Sequence, residues 1–329
     1  MRRILNFQLL IAIAILFHSA NASASGKYAG AFLMNPVGAR SAAMGCSYTA
    51  IAGDASAVYW NPAGLVRLPF IQVTAMHSER FAGMINHDFF AASFSMKGDK
   101  KIGIGYLRLG IDGIPMTRLL NTSEPLSAEN RPYVEKYLSD EESAFFLSYA
   151  RPLNSWFHAG LNIKVLNKKM GFEEAWGLGF DVGAIYFPTS RLQIGALLAD
   201  GTSTILAWRG GVREIIRPQL KLGAAYAIPF PFTRISLLSS AEMVNYSWND
   251  PAASLHTRFW SSDFNTGFEL DYRSKIALRL GLYRGQFTAG AGLKIAFTQL
   301  DYCFLRHKDL GNSHLISVTL NKSRKSAAK

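Results

Sequence analysis

Beyond residue 70, apolar side chains recur at every second position, run after run, and few folds can use such a pattern. A period of two puts alternate side chains on opposite faces of a strand. In residues 264–272, Phe264, Thr266, Phe268, Leu270 and Tyr272 share one face, and Asn265, Gly267, Glu269 and Asp271 share the other. Residues 276–283 set Ile276, Leu278, Leu280 and Leu282 against Ala277, Arg279 and Gly281. Residues 287–297 set Phe287, Leu293, Ile295 and Phe297 against Thr288, Gly290, Gly292 and Lys294. A wall with lipid on one side and a lumen on the other requires this arrangement. A soluble β-sandwich also alternates, but with a higher charged fraction than the 18% found here.

The pattern predicts strands at about 70–77, 87–97, 101–110, 142–151, 156–168, 175–187, 190–199, 216–228, 233–246, 263–272, 275–284, 286–296, 298–306 and 312–320. That is fourteen, an even number, as single-chain bacterial barrels have. Connections after odd strands read as long (78–86, 111–141, 169–174, 200–215, 247–262) and those after even strands as short, with Arg284-Gly285-Gln286 the exception. Long outer loops and tight periplasmic turns give this rhythm. The expectation is an all-β transmembrane outer-membrane β-barrel with both termini in the periplasm.

The first 24 residues read as a cleaved secretory signal: Arg2 and Arg3, an apolar run from Leu9 to Phe17, then Ala22-Ser23-Ala24. Their removal takes the net charge from +12 to +10. No later stretch reaches the ~18 apolar residues of a membrane helix. Residues 25–69, rich in Gly and Ala and too irregular for a strand pair, are expected to fold into the lumen as a plug or hatch. Residues 70–321 form the barrel, and 322–329 are a basic tail. Such a surface meets outer-membrane lipid and lipopolysaccharide; the +12 balance suits anionic head groups, and nucleic acid is not an expected partner. Cys46 and Cys303 are read as independent thiols, although an oxidising periplasm would allow them to pair.

No enzyme is expected. The histidines lack metal-ligand spacing, so no metal and no cofactor is expected, and no motif joins scattered candidates such as His158 and Asp181. Candidate gate residues are Asp54, Trp60, Asn61, Pro62 and Gly64: Pro62 bars a helical conformation at Asn61, Asn61 can bond its own backbone, and Gly64 permits a positive φ. Their structural role is a rigid turn where the plug joins the first strand, and their functional role a gate. Lys221, Arg234, Glu242, Glu269, Asp271, Arg279 and Lys294 are expected to face the lumen. Mixed signs among them argue for mutual pairing rather than an ion-selective pore.

The segment Gly38-Ala39-Arg40-Ser41-Ala42-Ala43-Met44-Gly45, then Asp54-Ala55-Ser56-Ala57 and Tyr59-Trp60-Asn61-Pro62-Ala63-Gly64-Leu65, resembles the PorV/PorQ family, relatives of the FadL-type channels. Ala277 to Gly281, Phe287 to Leu293 and Asp309 to His314 carry the resemblance to the other end. It implies a fourteen-stranded FadL-like barrel with a lumenal N-terminal segment. It also implies a component of protein secretion, a type IX-like shuttle with machinery proteins or exported cargo as partners. The alternative is a channel for hydrophobic small molecules. Two departures stand out: Cys46 replaces the family's usual glycine, and a basic tail follows Leu320-Asn321 where a terminal aromatic is usual.

Overall fold

A computed structural model of the protein describes residues 29–81, 83–251, 253–307 and 311–323. The signal peptide, residues 25–28 of the expected plug and residues 324–329 of the tail lie outside the described residues. Seventeen strands are found among the described residues. They are β1 (Ile71–Arg80), β2 (Ile85–Ser95), β3 (Lys101–Leu119), β4 (Pro132–Asn154), β5 (Phe157–Met170), β6 (Glu173–Tyr186), β7 (Leu192–Ala199), β8 (Thr204–Trp208) and β9 (Arg213–Ile216). Then follow β10 (Gln219–Phe230), β11 (Ile235–Tyr246), β12 (Leu255–His256), β13 (Ser261–Tyr272), β14 (Ile276–Tyr283), β15 (Gln286–Ile295), β16 (Thr298–His307) and β17 (Gly311–Lys322).

Fourteen staves close into one antiparallel barrel. Neighbours pair in chain order, and the ring closes through β1 and β17 in continuous register from Ile71↔Lys322 to Arg80↔Ser313. Two staves are interrupted. β6 pairs with β7 at its lower end (Val182↔Leu198) and with β8 at its upper end (Leu178↔Ile205), so β7 and β8 form one stave broken by the excursion Asp200–Ser203. Its neighbour runs from β9 into β10, which pair with β8 and β7 respectively. β12 is a short bridge in the loop between β11 and β13.

The outward face is apolar: Phe90, Ile104, Phe145, Leu147, Leu161, Ile163, Leu178, Phe268, Leu278 and Leu280 are all exposed there. Exposed aromatics such as Trp156, Tyr186, Phe230, Tyr272 and Phe297 mark the short-turn end. This is a belt suited to lipid with an interfacial rim.

Several expected long loops are strand. β3 and β4 run on past the wall as a two-stranded ribbon, pairing as far as Leu119↔Pro132, so only residues 120–131 of the expected loop 111–141 connect them. Its residues are mostly exposed on both faces, so no polar–apolar alternation marks it as strand. The expected loop 200–215 likewise holds the β8–β9 hairpin, and the connections at 78–86 and 169–174 shrink to turns.

Residues 29–68 lie against the inward faces of the strands and are almost wholly buried. They form short helical turns, including Ala39–Ala43, Ala57–Trp60 and Pro62–Arg67, in place of strands. The wall carries glycine where this backbone comes closest. A methyl group on Gly267 would strike the Met44 carbonyl, and one on Gly195 would meet the Thr49 carbonyl. The segment runs through the lumen from one end to the other. It starts at the long-hairpin end, where the Tyr283 hydroxyl donates to the Met34 carbonyl (2.9 Å), and leaves at the short-turn end, where Lys101 donates to the Leu68 carbonyl (2.6 Å). The described chain therefore begins at the end opposite to the one where β17 finishes, whereas the sequence rhythm puts both termini at the short turns.

Candidate functional site

The segment has two charged residues between Ala29 and Val66, Arg40 and Asp54, and one chain of hydrogen bonds uses both. Tyr48 Oη donates to Asp54 Oδ2 (2.6 Å), and Arg40 Nη1 donates to Tyr48 Oη (3.2 Å). Burial pushes the Tyr48 phenol well above its ordinary pKa, which keeps the proton it donates. Arg40 then grips Glu269 of β13 through Nε and Nη2, each at 2.8 Å. Glu269 also accepts from Arg279 Nε (2.6 Å), and Arg279 Nη1 donates to Asp301 of β16 (2.8 Å). Charges taken out of water need such partners, and planar guanidinium–carboxylate pairing supplies them with fixed geometry.

The Asn-Pro-Ala-Gly turn sits lower, against β6 and β7. Asn61 is extended and its side-chain oxygen accepts from Ala63 N (3.1 Å), capping the turn that Pro62 opens. Its amide donates to the Thr49 carbonyl (2.9 Å) and to the Ala184 carbonyl (3.1 Å), joining segment and wall. Gly64 does not take a positive φ: it lies inside the Pro62–Arg67 turn, and a side chain there would strike the Ala52 carbonyl. Space, not backbone freedom, calls for glycine at 64. Trp60 is buried, its indole N–H donating to the Val37 carbonyl (2.8 Å), and Lys221 Nζ lies 5.0 Å from its ring centre. Asp54 also accepts from Ser56 N (2.9 Å).

Of the expected lumenal charges, Glu242, Glu269 and Arg279 are buried inside. Glu242 accepts from the backbone of Tyr48 (3.0 Å) and Thr49 (2.8 Å). Arg234 is not lumenal: it occupies the β10–β11 turn with φ 54°, because the turn needs a left-handed residue there. Asp271 and Lys294 line a small cleft at the short-turn mouth together with Arg40 and Glu269.

A second buried cluster escaped the sequence reading. Lys164 of β5 pairs with Asp181 of β6 (2.8 Å) and with Asp200 (2.9 Å), at the excursion that breaks the seventh stave. Asp200 N donates to Asp181 (2.8 Å). Asp181 is thus committed to wall structure and stands apart from His158, whose ring packs on Phe187 near the turns. Nothing local in sequence links positions 164, 181 and 200; only the ladder brings them together.

Two clefts flank the segment. The outer one, about 600 Å³, is lined by Ala31, Met34, Asn35 and Pro36 of the segment together with Arg80, Trp248 and Tyr283. The inner one, about 890 Å³, is lined by Val66, Leu68 and Pro69 together with Lys101 and Leu153. Between them one side of the upper lumen wall is largely apolar, with Leu107, Leu109, Phe146, Leu166, Leu206 and Ile216 all buried and facing in beside the Glu142–Lys168 ion pair.

No family model and no curated protein matches the chain. Among solved structures it is similar to the CymD monoaromatic hydrocarbon channel, with a TM-score of 0.56 at 13% identity over 88% of this chain and 98% of that one. It is also similar to the Pseudomonas putida toluene transporter TodX, with a TM-score of 0.55 at 12% identity over 87% of this chain and 96% of that one. At this identity the likeness is one of fold: a closed fourteen-stranded antiparallel barrel.

Proposed function

We propose that the protein is an outer-membrane channel for hydrophobic small molecules, with residues 29–68 as its plug and the short turns on the periplasmic side. The observation that carries this reading is the apolar upper lumen. A water-filled porin lines its interior with polar groups, whereas here Leu107, Leu109, Phe146, Leu166, Leu206 and Ile216 are buried on one inner wall, and the charges among them, Glu142 with Lys168 and Lys164 with Asp181 and Asp200, are paired off. The barrels it resembles include a monoaromatic hydrocarbon channel, CymD, and a toluene transporter, TodX. The broken stave at Asp200–Ser203 adds support. β9, just above it, has no ladder partner on its other side among the described residues, so the wall is least continuous beside the apolar tract.

The secretion reading implied by the PorV/PorQ resemblance gains no family match, and the fold neighbours favour the channel. The test is entry of labelled toluene into Gram-negative host cells that lack their own hydrocarbon channels. Expression should raise the initial rate several-fold over an empty vector, and an unchanged rate would count against the channel.

A further inference from the structure

The β1–β2 ladder pairs Ser78 directly with His87, and both side chains point into the lumen with 1% of their surface exposed. The Ser78 hydroxyl, His87 Nδ1 and His87 Nε2 have no hydrogen-bond partner. Buried polar side chains are nearly always satisfied, and an unsatisfied one destabilises the fold. Their neighbours explain the vacancy: Leu109 pairs with His87 from β3, Leu315 pairs with Ser78 from β17, and Met76 and Phe89 form the next inward row. An apolar residue at either position would pack there without that cost.

The outer cleft ends immediately above this pair. Its lining includes Arg80, two residues beyond Ser78 on β1, and Ser313, the partner of Arg80 on β17. Arg80 is held by a hydrogen bond from Nη1 to the Asn35 side chain of the N-terminal segment. The cleft, the Arg80–Asn35 contact and the unsatisfied pair thus lie in sequence down one side of the lumen.

We propose that His87 and Ser78 are the polar contact of a binding site for an uncharged hydrophobe bearing one hydroxyl or carbonyl group, reached from the outer cleft when Arg80 and Asn35 part. The site rests on the channel reading and specifies its substrate class. A neutral imidazole presents one donor and one acceptor, and a serine hydroxyl presents both. Together they satisfy one hydroxyl completely, while the surrounding side chains take the apolar remainder. A plain hydrocarbon would leave three polar atoms empty.

The test is calorimetric binding of toluene, p-cresol and p-toluate to the full-length protein in detergent, with heat-modifiable gel migration as the check of folding. p-Cresol is expected to bind about tenfold more tightly than toluene, the worth of one well-made buried hydrogen bond. His87→Phe and Ser78→Ala should abolish that preference, and His87→Asn should retain part of it. Equal affinities for cresol and toluene would overturn the proposal, as for a pair that merely holds water. Tightest binding of p-toluate would overturn the uncharged class and move the contact to Arg80. A preference that survives His87→Phe would also overturn it. If neither toluene nor cresol binds, the channel reading itself falls.

Discussion

Arg40 of the N-terminal segment holds both carboxylate oxygens of Glu269 at 2.8 Å, and this is the charged joint between plug and wall. Breaking a buried pair by removing one partner leaves the other charge without compensation and costs about 3–5 kcal/mol. Glu269→Gln strands Arg40 and leaves Arg279 with Asp301 alone, whereas Arg40→Met leaves Glu269 with Arg279. Thermal unfolding in detergent should therefore show both variants destabilised, Glu269→Gln more than Arg40→Met. The reverse order would mean that Arg279 does not share the carboxylate.

Small residues on the inner wall admit the plug. A leucine at Gly267 or Gly281 would overlap the backbone of Met44 or Gly45, which cannot yield as a side-chain tip can. Gly267→Leu/Gly281→Leu is expected to assemble as a barrel, since both positions lie on the lumen side, but to displace the segment. Planar-bilayer conductance should rise from near zero to a steady open level. Silence in bilayers with normal heat-modifiability would show that the segment does not close the pore.

Asn61 contributes more than a turn. Asn61→Ala removes the cap on Ala63 and the bonds to the Thr49 and Ala184 carbonyls, leaving buried acceptors empty. The expected loss is about 2–3 kcal/mol in unfolding free energy, read by urea titration. Asn61→Asp should be at least as damaging, because a carboxylate cannot donate to either carbonyl.

The barrel was legible because lipid outside and a filled lumen inside impose a period of two on each stave, and Phe264 through Tyr272 follow it without a break. The β3–β4 ribbon beyond Ile111 was not legible, since largely exposed faces leave no alternation to read. Within the site, the importance of Asp54 and Asn61 could be read from local turn chemistry. Arg40 carried a weaker signal, as one of two charges in a long apolar segment. Lys164, Asp200, His87 and Ser78 gave none, because their partners, or their lack of partners, depend on strand register.

Cys46 reports on the plug without perturbing it. Burial pushes its thiol well above the ordinary value, with Cys303 nearby adding to the effect. A raised folded-state value means the thiol stays protonated in the folded protein while the unfolded chain ionises, so its contribution to stability is present at neutral pH and lost as pH rises beyond the ordinary thiol range. Maleimide labelling at pH 7.5 should be at least a hundredfold slower than for a free thiol, and plug displacement by Gly267→Leu/Gly281→Leu should restore it. Fast labelling of the wild type would mean the segment leaves the lumen spontaneously.

Native mass spectrometry of the tagged protein, gently extracted from its own outer membrane, separates a small-molecule channel from a secretion component. The channel account expects a barrel without a stoichiometric protein partner, carrying a hydrophobic small molecule of defined mass that is released on activation. A stoichiometric protein partner with no small molecule bound would contradict it and restore the secretion reading.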